Sequence, residues 1–143
     1  MFKSLRVSIA DDELDMRDYL ARILPRLGHE VVSAAENGRQ LVADFQRLSP
    51  DLVITDVRMP ELDGLDAVRE IRRGRPVPVI VISAHQDSQA LSEPQDGPTL
   101  FLTKPINAQS LQDAIAGLMD GAQAAQAAQA ASAAAVPARF PRA

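Results

Sequence analysis

Short apolar runs alternate along the chain with longer segments whose apolar residues recur every three or four positions. Runs of this length and composition are typical of buried strands, and the periodic segments are typical of helices packed on one face. The alternation therefore predicts an α/β fold, a doubly wound, five-stranded parallel sheet built from right-handed βα units. The predicted strands are Val7–Ala10, Glu30–Ala34, Leu52–Thr55, Val79–Ile82 and Leu100–Thr103.

The predicted helices have recognisable ends. The first is expected from Asp15 to near Gly28, and Pro25 in its last turns should bend or shorten it. Asn37 and Asn107 are good N-caps for the second and the last helix, because an asparagine side chain accepts a hydrogen bond from a free backbone N–H. A further helix is predicted between the third and the fourth strand.

Two segments depart from this pattern. Between the fourth and fifth strands, Ser88–Glu93 has room for one or two helical turns before Pro94. Few apolar residues anchor this stretch, so we expect it to be the most mobile part of the folded domain. Residues 1–120 are predicted to form the domain. Residues 121–143 form an alanine- and glutamine-rich tail that either continues the last helix or is a linker or disordered end.

Composition excludes several classes of protein. The chain has 143 residues, 46% of them hydrophobic, a net charge of −4 and no cysteine. Disulfides and thiolate metal sites are therefore excluded, and the apolar runs are too short to span a bilayer. The negative charge argues against direct binding to nucleic acid or to an anionic membrane. A cytoplasmic domain is the expectation.

Polar side chains follow the apolar runs at four places. Asp11 and Asp12 follow the first strand, Asp56 the third, Ser83 the fourth and Lys104 the fifth. The carboxyl ends of parallel strands meet at one edge of the sheet, where ligands bind at a topological switch point. Three crowded carboxylates repel one another without a cation, and Mg²⁺ (or Mn²⁺) prefers such hard oxygen ligands. With the metal bound, one carboxylate can act as a nucleophile on phosphorus, and the metal and the Lys104 ammonium would neutralise charge on the phosphoryl oxygens, so this set of groups suits phosphoryl transfer.

Together with Met59-Pro60, Asp63-Gly64, Phe101 and Pro105, these residues resemble the receiver domain of bacterial two-component response regulators. The resemblance covers roughly residues 4–120 and implies the flavodoxin-like (βα)5 fold. It implies that Asp56 is the phosphoacceptor.

The resemblance also assigns roles to the surrounding residues. Asp12 would be the direct metal ligand, Asp11 would hold a metal-bound water, and Arg58 would contribute its backbone carbonyl. Ser83 would contact the phosphoryl group, Lys104 would pair with it, and the Lys104-Pro105 peptide would be cis. Phe101 would be the switch aromatic, which turns inward when Ser83 moves. His85 and Arg58 would flank the entrance, whereas His29 is expected to be a turn residue.

The leading functional prediction is a single-domain phosphoacceptor that is not a turnover enzyme. Its partners would be a histidine kinase or a histidine phosphotransfer protein and a downstream protein target, and it would be a monomer or a phosphorylation-dependent dimer. One alternative is the receiver half of a DNA-binding transcriptional regulator. A second is a phosphatase with an aspartyl nucleophile, although Arg58 stands where such enzymes place a second aspartate. A flavodoxin-like nucleotide-binding protein is a third, without the glycine-rich phosphate loop.

Overall fold

A computed structural model describes residues 4–84 and 97–120, and its five parallel strands form one sheet in the order β2-β1-β3-β4-β5. The predicted fold class is confirmed, and each strand contains the predicted run extended by one residue. The strands are β1 (Arg6–Ala10), β2 (Glu30–Ala35), β3 (Leu52–Asp56), β4 (Val79–Ser83) and β5 (Thr99–Thr103). The helices are α1 (Leu14–Arg26), α2 (Gly38–Leu48), α3 (Gly64–Arg72) and residues 108–120, called helix 108–120 below.

Helices cover both faces of the sheet, as the alternation predicts. Because successive strand residues point to opposite faces, Val53 of β3 packs on one side, and its neighbours Leu52 and Ile54 pack on the other. α2 and α3 cover the first face, and α1 and helix 108–120 cover the second. The helix residues that form these two cores are Leu41, Val42, Phe45, Ala67, Val68 and Ile71 on the first face, and Leu20, Leu24, Leu111, Ala114, Ile115 and Leu118 on the second.

The helix ends largely follow the prediction. Asn37 caps α2 by accepting a hydrogen bond from the Gln40 N–H at 2.8 Å, and Asn107 accepts one from the Ser110 N–H at 2.8 Å. α1 continues through Pro25 and ends one residue later, at Arg26. Pro25 lies in the last turn and has no N–H to donate to the carbonyl four residues earlier, so the helix ends close to it.

The strand order places a topological switch point between β1 and β3. From β1 the chain moves to β2 on one side and then returns to β3 on the other side. The carboxyl ends of β1 and β3 are therefore adjacent, and crossovers leave in opposite directions from them. In sheets of this kind the resulting crevice is where ligands bind.

Two buried polar side chains join elements at the other end of the strands. His29 directly follows the turn after α1, and its Nδ1 accepts a hydrogen bond from the Leu5 N–H at 3.1 Å. Burial lowers the pKa of the His29 imidazole. Arg72 of α3 donates to the carbonyl oxygens of Val77 and Pro98, and so links α3 to the starts of β4 and β5.

Several predictions concern residues outside the described ranges. These are the helical turns at 88–93, the effect of Pro94, the mobility of the segment after Ser83, the position of His85 and the state of the tail. Among the described helices, none combines the length and apolar content needed to cross a membrane.

Candidate functional site

Three carboxylates meet at the switch point. Asp11 directly follows β1, Asp12 comes next, and Asp56 is the last residue of β3. One carboxylate oxygen from each of the three lies within 4.8 Å of the others. Asp11 and Asp56 are buried, with 1% and 8% of their surface exposed, whereas Asp12 is exposed to solvent. The sequence-based expectation that these side chains converge is confirmed by this geometry.

Burial makes the ionised forms of the Asp11 and Asp56 carboxylates unfavourable. It raises the pKa of Asp11 to about 6, and the neighbouring Asp56 carboxylate contributes to the same shift. It also raises the pKa of Asp56, although Lys104 acts in the opposite direction. Oδ2 of Asp11 has no hydrogen-bond partner among the described residues. Three hard oxygen donors, one of them buried without a hydrogen bond, fit a divalent cation such as Mg²⁺.

Lys104 brings a positive charge to the same place. It follows β5, and its Nζ lies 3.5 Å from Oδ2 of Asp56 and 3.9 Å from Oδ2 of Asp11. Oε1 of Glu13 is also close, at 3.6 Å. Burial by itself would lower the pKa of the Lys104 ammonium, but the three carboxylates together hold that pKa above its usual value. The peptide bond between Lys104 and Pro105 is cis, as expected.

Ser83 lies beside these groups. Its neighbour Ile82 pairs with Asp56 in the sheet, and its own carbonyl accepts the Lys104 backbone N–H at 2.8 Å. The Ser83 hydroxyl is fully buried and has no hydrogen-bond partner among the described residues.

Two other predicted residues are at least partly exposed to solvent. Phe101 of β5 is half-buried and packs against the core formed with α2 and α3. Arg58 is exposed in the loop after β3, and whether its carbonyl faces the site stays a prediction.

Backbone contacts that the sequence pattern does not predict fix the position of Asp56. Oδ1 of Asp56 accepts the Val57 N–H at 2.8 Å, and the Asp56 carbonyl accepts the Thr55 hydroxyl at 2.9 Å. Gly64 packs against that carbonyl so closely that a Cβ atom at Gly64 would lie 1.9 Å from the oxygen. The Gly64 N–H also donates to the Val57 carbonyl at 2.7 Å. Only glycine fits this position, and the Asp63-Gly64 motif was its only sequence signal.

Glu13 is a second residue at this site that the sequence pattern does not single out. Its backbone N–H donates to Oδ1 of Asp11 at 2.9 Å, and its side chain reaches Lys104. Its only signal in the sequence is that it directly follows the acidic pair.

Comparison with known proteins gives a consistent result. Residues 7–116 match the family model of the response regulator receiver domain. The chemotaxis protein CheY of Bacillus subtilis is 40% identical over 112 residues, 77% of this chain and 93% of that protein. The transcriptional regulatory protein PdtaR of Mycobacterium tuberculosis is 39% identical over 111 residues, 77% of this chain but only 54% of that protein.

Solved structures agree with these relatives. A response regulator receiver domain protein from Clostridium thermocellum has a TM-score of 0.72 at 31% identity, and the match covers 80% of this chain and 94% of that one. The response regulator PhyR from Brucella abortus has a TM-score of 0.77 at 28% identity, covering 89% of this chain and 52% of that one.

Proposed function

The chain belongs to the family of response regulator receiver domains, and from that premise we propose that it accepts a phosphoryl group on Asp56 from a phosphohistidine of a partner protein. The donor would be a histidine kinase or a histidine phosphotransfer protein. The phosphorylated domain would then act on a downstream protein target. The domain of residues 1–120 would carry this activity, with residues 121–143 as its tail.

One oxygen of the Asp56 carboxylate would attack phosphorus. An O–P bond forms, the P–N bond to the donor imidazole breaks, and its electron pair returns to that nitrogen. The Val57 N–H and the backbone contacts described above hold Asp56 in place for this attack. Lys104 would neutralise charge on the phosphoryl oxygens, and the buried Ser83 hydroxyl would donate a hydrogen bond to one of them.

Asp11, Asp12, Asp56 and the Arg58 carbonyl would hold the divalent metal. When bound, Mg²⁺ or Mn²⁺ would supply positive charge to the phosphoryl oxygens and relieve the repulsion among the carboxylates. Signalling would follow from movement of Ser83 toward the phosphoryl group and inward packing of Phe101, which now lies half-buried at the edge of the α2–α3 core.

The observation that carries this proposal is the 3.5 Å distance between Nζ of Lys104 and Oδ2 of Asp56, inside a group of three carboxylates. An ordinary surface ion pair would need neither the burial of Asp56 nor the additional acidic pair.

Intact-mass spectrometry after incubation with acetyl phosphate tests the proposal. With MgCl2, the wild-type protein should gain the mass of one phosphoryl group, and with EDTA it should not. Asp56→Asn should not be labelled, whereas Asp66→Asn, which removes an exposed carboxylate from α3, should be labelled normally. Equal labelling of wild type and Asp56→Asn would refute the assignment of Asp56, and equal labelling in MgCl2 and EDTA would refute the metal requirement.

A further inference from the structure

The Glu13 carboxylate lies close to the Lys104 ammonium, which is the positive charge with which the transferred phosphoryl group would pair. Its Oε1 lies 3.6 Å from Nζ of Lys104, a distance comparable to the 3.5 Å between that nitrogen and Asp56. We propose that Glu13 competes with the incoming phosphoryl group for Lys104 and so slows the phosphorylation of Asp56. This inference rests on the function proposed above and assigns a regulatory role to a residue beside its site.

The position of Glu13 at the start of α1 supports a role for its side chain outside the helix. It is the N-cap residue of α1, yet its side chain makes no capping hydrogen bond. Serine, threonine, aspartate or asparagine is preferred there because the side chain satisfies a free backbone N–H. The glutamate carboxylate faces Lys104 instead and makes no hydrogen bond to the backbone of the first turn.

The backbone and the side chain of Glu13 do separate things. Its N–H supports Asp11 at 2.9 Å, and this contact does not depend on which side chain stands at position 13. A substitution of Glu13 can therefore remove the contact with Lys104 while the backbone contact with Asp11 stays in place.

Metal binding would leave this competition intact. The three residues whose oxygens lie together as a metal-binding group are Asp11, Asp12 and Asp56, and Glu13 is outside that group. A bound cation would partly neutralise Asp11 and Asp56, which are the other two carboxylates near Lys104. Glu13 would then be the carboxylate among the described residues still free to pair with the ammonium, and it must give way when a phosphoryl group arrives.

The rate of phosphorylation by acetyl phosphate provides the test. The Glu13 side chain is 67% exposed, so the pair is of modest strength, and Glu13→Gln should raise the phosphorylation rate about two- to fivefold at low ionic strength. High salt should reduce that gain, because salt screens exposed charges. The matched control is Asp15→Asn, which removes one exposed negative charge from the first turn of α1. The carboxylates that shift the pKa of Lys104 are those of Asp56, Asp11 and Glu13, and Asp15 is not among them.

A second measurement follows the contact itself. The chain has two lysines, Lys3 and Lys104, so a sample labelled at lysine gives two sets of side-chain NMR resonances. In the metal-free protein the Lys104 Cε and Nζ resonances should shift in Glu13→Gln and should hardly shift in Asp15→Asn.

The outcomes separate this inference from the function on which it rests. If wild type is not phosphorylated, the proposed function fails. If wild type is phosphorylated but Glu13→Gln is no faster than Asp15→Asn, or is slower than wild type, the competition is wrong. Lys104 resonances that respond equally to both substitutions would also overturn it, because they would place no specific Glu13 contact at the ammonium.

Discussion

Replacing the buried Asp11 carboxylate by an amide is expected to stabilise the metal-free protein. Burial, with a contribution from the Asp56 carboxylate, raises the pKa of Asp11 from 3.8 to about 6. At 1.36 kcal/mol per pKa unit, the ionised form of Asp11 carries a penalty of roughly 3 kcal/mol at neutral pH. Asp11→Asn removes that penalty without changing the shape of the side chain.

The contacts of Asp11 determine how much of this penalty should appear as a gain in the free energy of unfolding. An asparagine can still accept the Glu13 N–H through Oδ1, and its amide nitrogen replaces Oδ2, which has no hydrogen-bond partner among the described residues. The variant does lose the attraction between Oδ2 and the Lys104 ammonium, which lies 3.9 Å away. We therefore expect the free energy of unfolding to rise by about 1–3 kcal/mol.

The pH dependence follows from the direction of the shift. Between pH 3.8 and 6 the folded state binds the Asp11 proton more tightly than the unfolded state does. The penalty on wild type is therefore fully present above about pH 6 and disappears as the pH falls toward the ordinary pKa of a carboxyl group. The stability difference between Asp11→Asn and wild type should be largest at pH 7.5 and should narrow at pH 4.5.

Urea unfolding in EDTA measures this difference. Far-UV circular dichroism is the suitable probe, because the chain has no tryptophan and one tyrosine. Asp18→Asn is the matched control, since it removes an exposed carboxylate from α1 and should change stability little. With MgCl2, wild type should gain more stability than Asp11→Asn, by about 2.7 kcal/mol if the metal is at a hundred times its Kd and the variant no longer binds it.

A lower or unchanged stability of Asp11→Asn in EDTA at pH 7.5 would refute the reasoning. It would mean that the carboxylate at position 11 is not destabilising in the folded protein, and that the raised pKa does not describe it. A stability difference that does not depend on pH would refute the charge as its cause.

Two further predictions concern stability. Because burial lowers the pKa of His29, the unfolded state takes up a proton at this residue more readily than the folded state, so stability falls as the pH drops below the ordinary pKa of 6.5. Wild type should accordingly lose more stability than His29→Asn between pH 7.5 and 5.5, and parallel losses would contradict this. Protonation of Asp11 changes the stability in the opposite direction over this pH range, but it does so equally in both proteins. Gly64→Ala should lower the free energy of unfolding by about 1–3 kcal/mol and impair phosphorylation, because its Cβ would meet the Asp56 carbonyl. Gly117→Ala, in an open position of helix 108–120, should raise stability by about 0.5–1 kcal/mol, so equal effects of the two substitutions would refute the close contact at Gly64.

The fold and the carboxylate group were predictable because they depend on periodic and positional features of the sequence. Strand runs show in the alternation, and the carboxyl ends of parallel strands must share an edge, so Asp11, Asp56 and Lys104 had to lie close together. The caps at Asn37 and Asn107 were predictable for a similar reason, since a cap depends on residues within one turn of the chain.

The contacts made by single side chains could not be predicted in this way. His29 is buried against the backbone of Leu5. The Arg72 guanidinium donates to the carbonyl of Pro98, which is more than twenty residues away in the sequence. The Glu13 carboxylate faces Lys104 instead of capping its helix. These outcomes depend on rotamers and on tertiary distances, and neither is recorded in the spacing of apolar residues.

The backbone contacts around Asp56 explain how a repulsive group of carboxylates can persist in a folded domain. Like charge and burial both disfavour the ionised forms of Asp11 and Asp56, and burial is the largest cause of the raised pKa of each. Asp56 is held by the Val57 N–H and by the packing of Gly64, and Asp11 by the Glu13 N–H, so all three restraints come from the backbone. Backbone restraints do not titrate and do not depend on a cation. The carboxylates should thus keep their positions when a metal enters or leaves, so that changes in charge at this edge alter the affinity and reactivity of the site more than its shape.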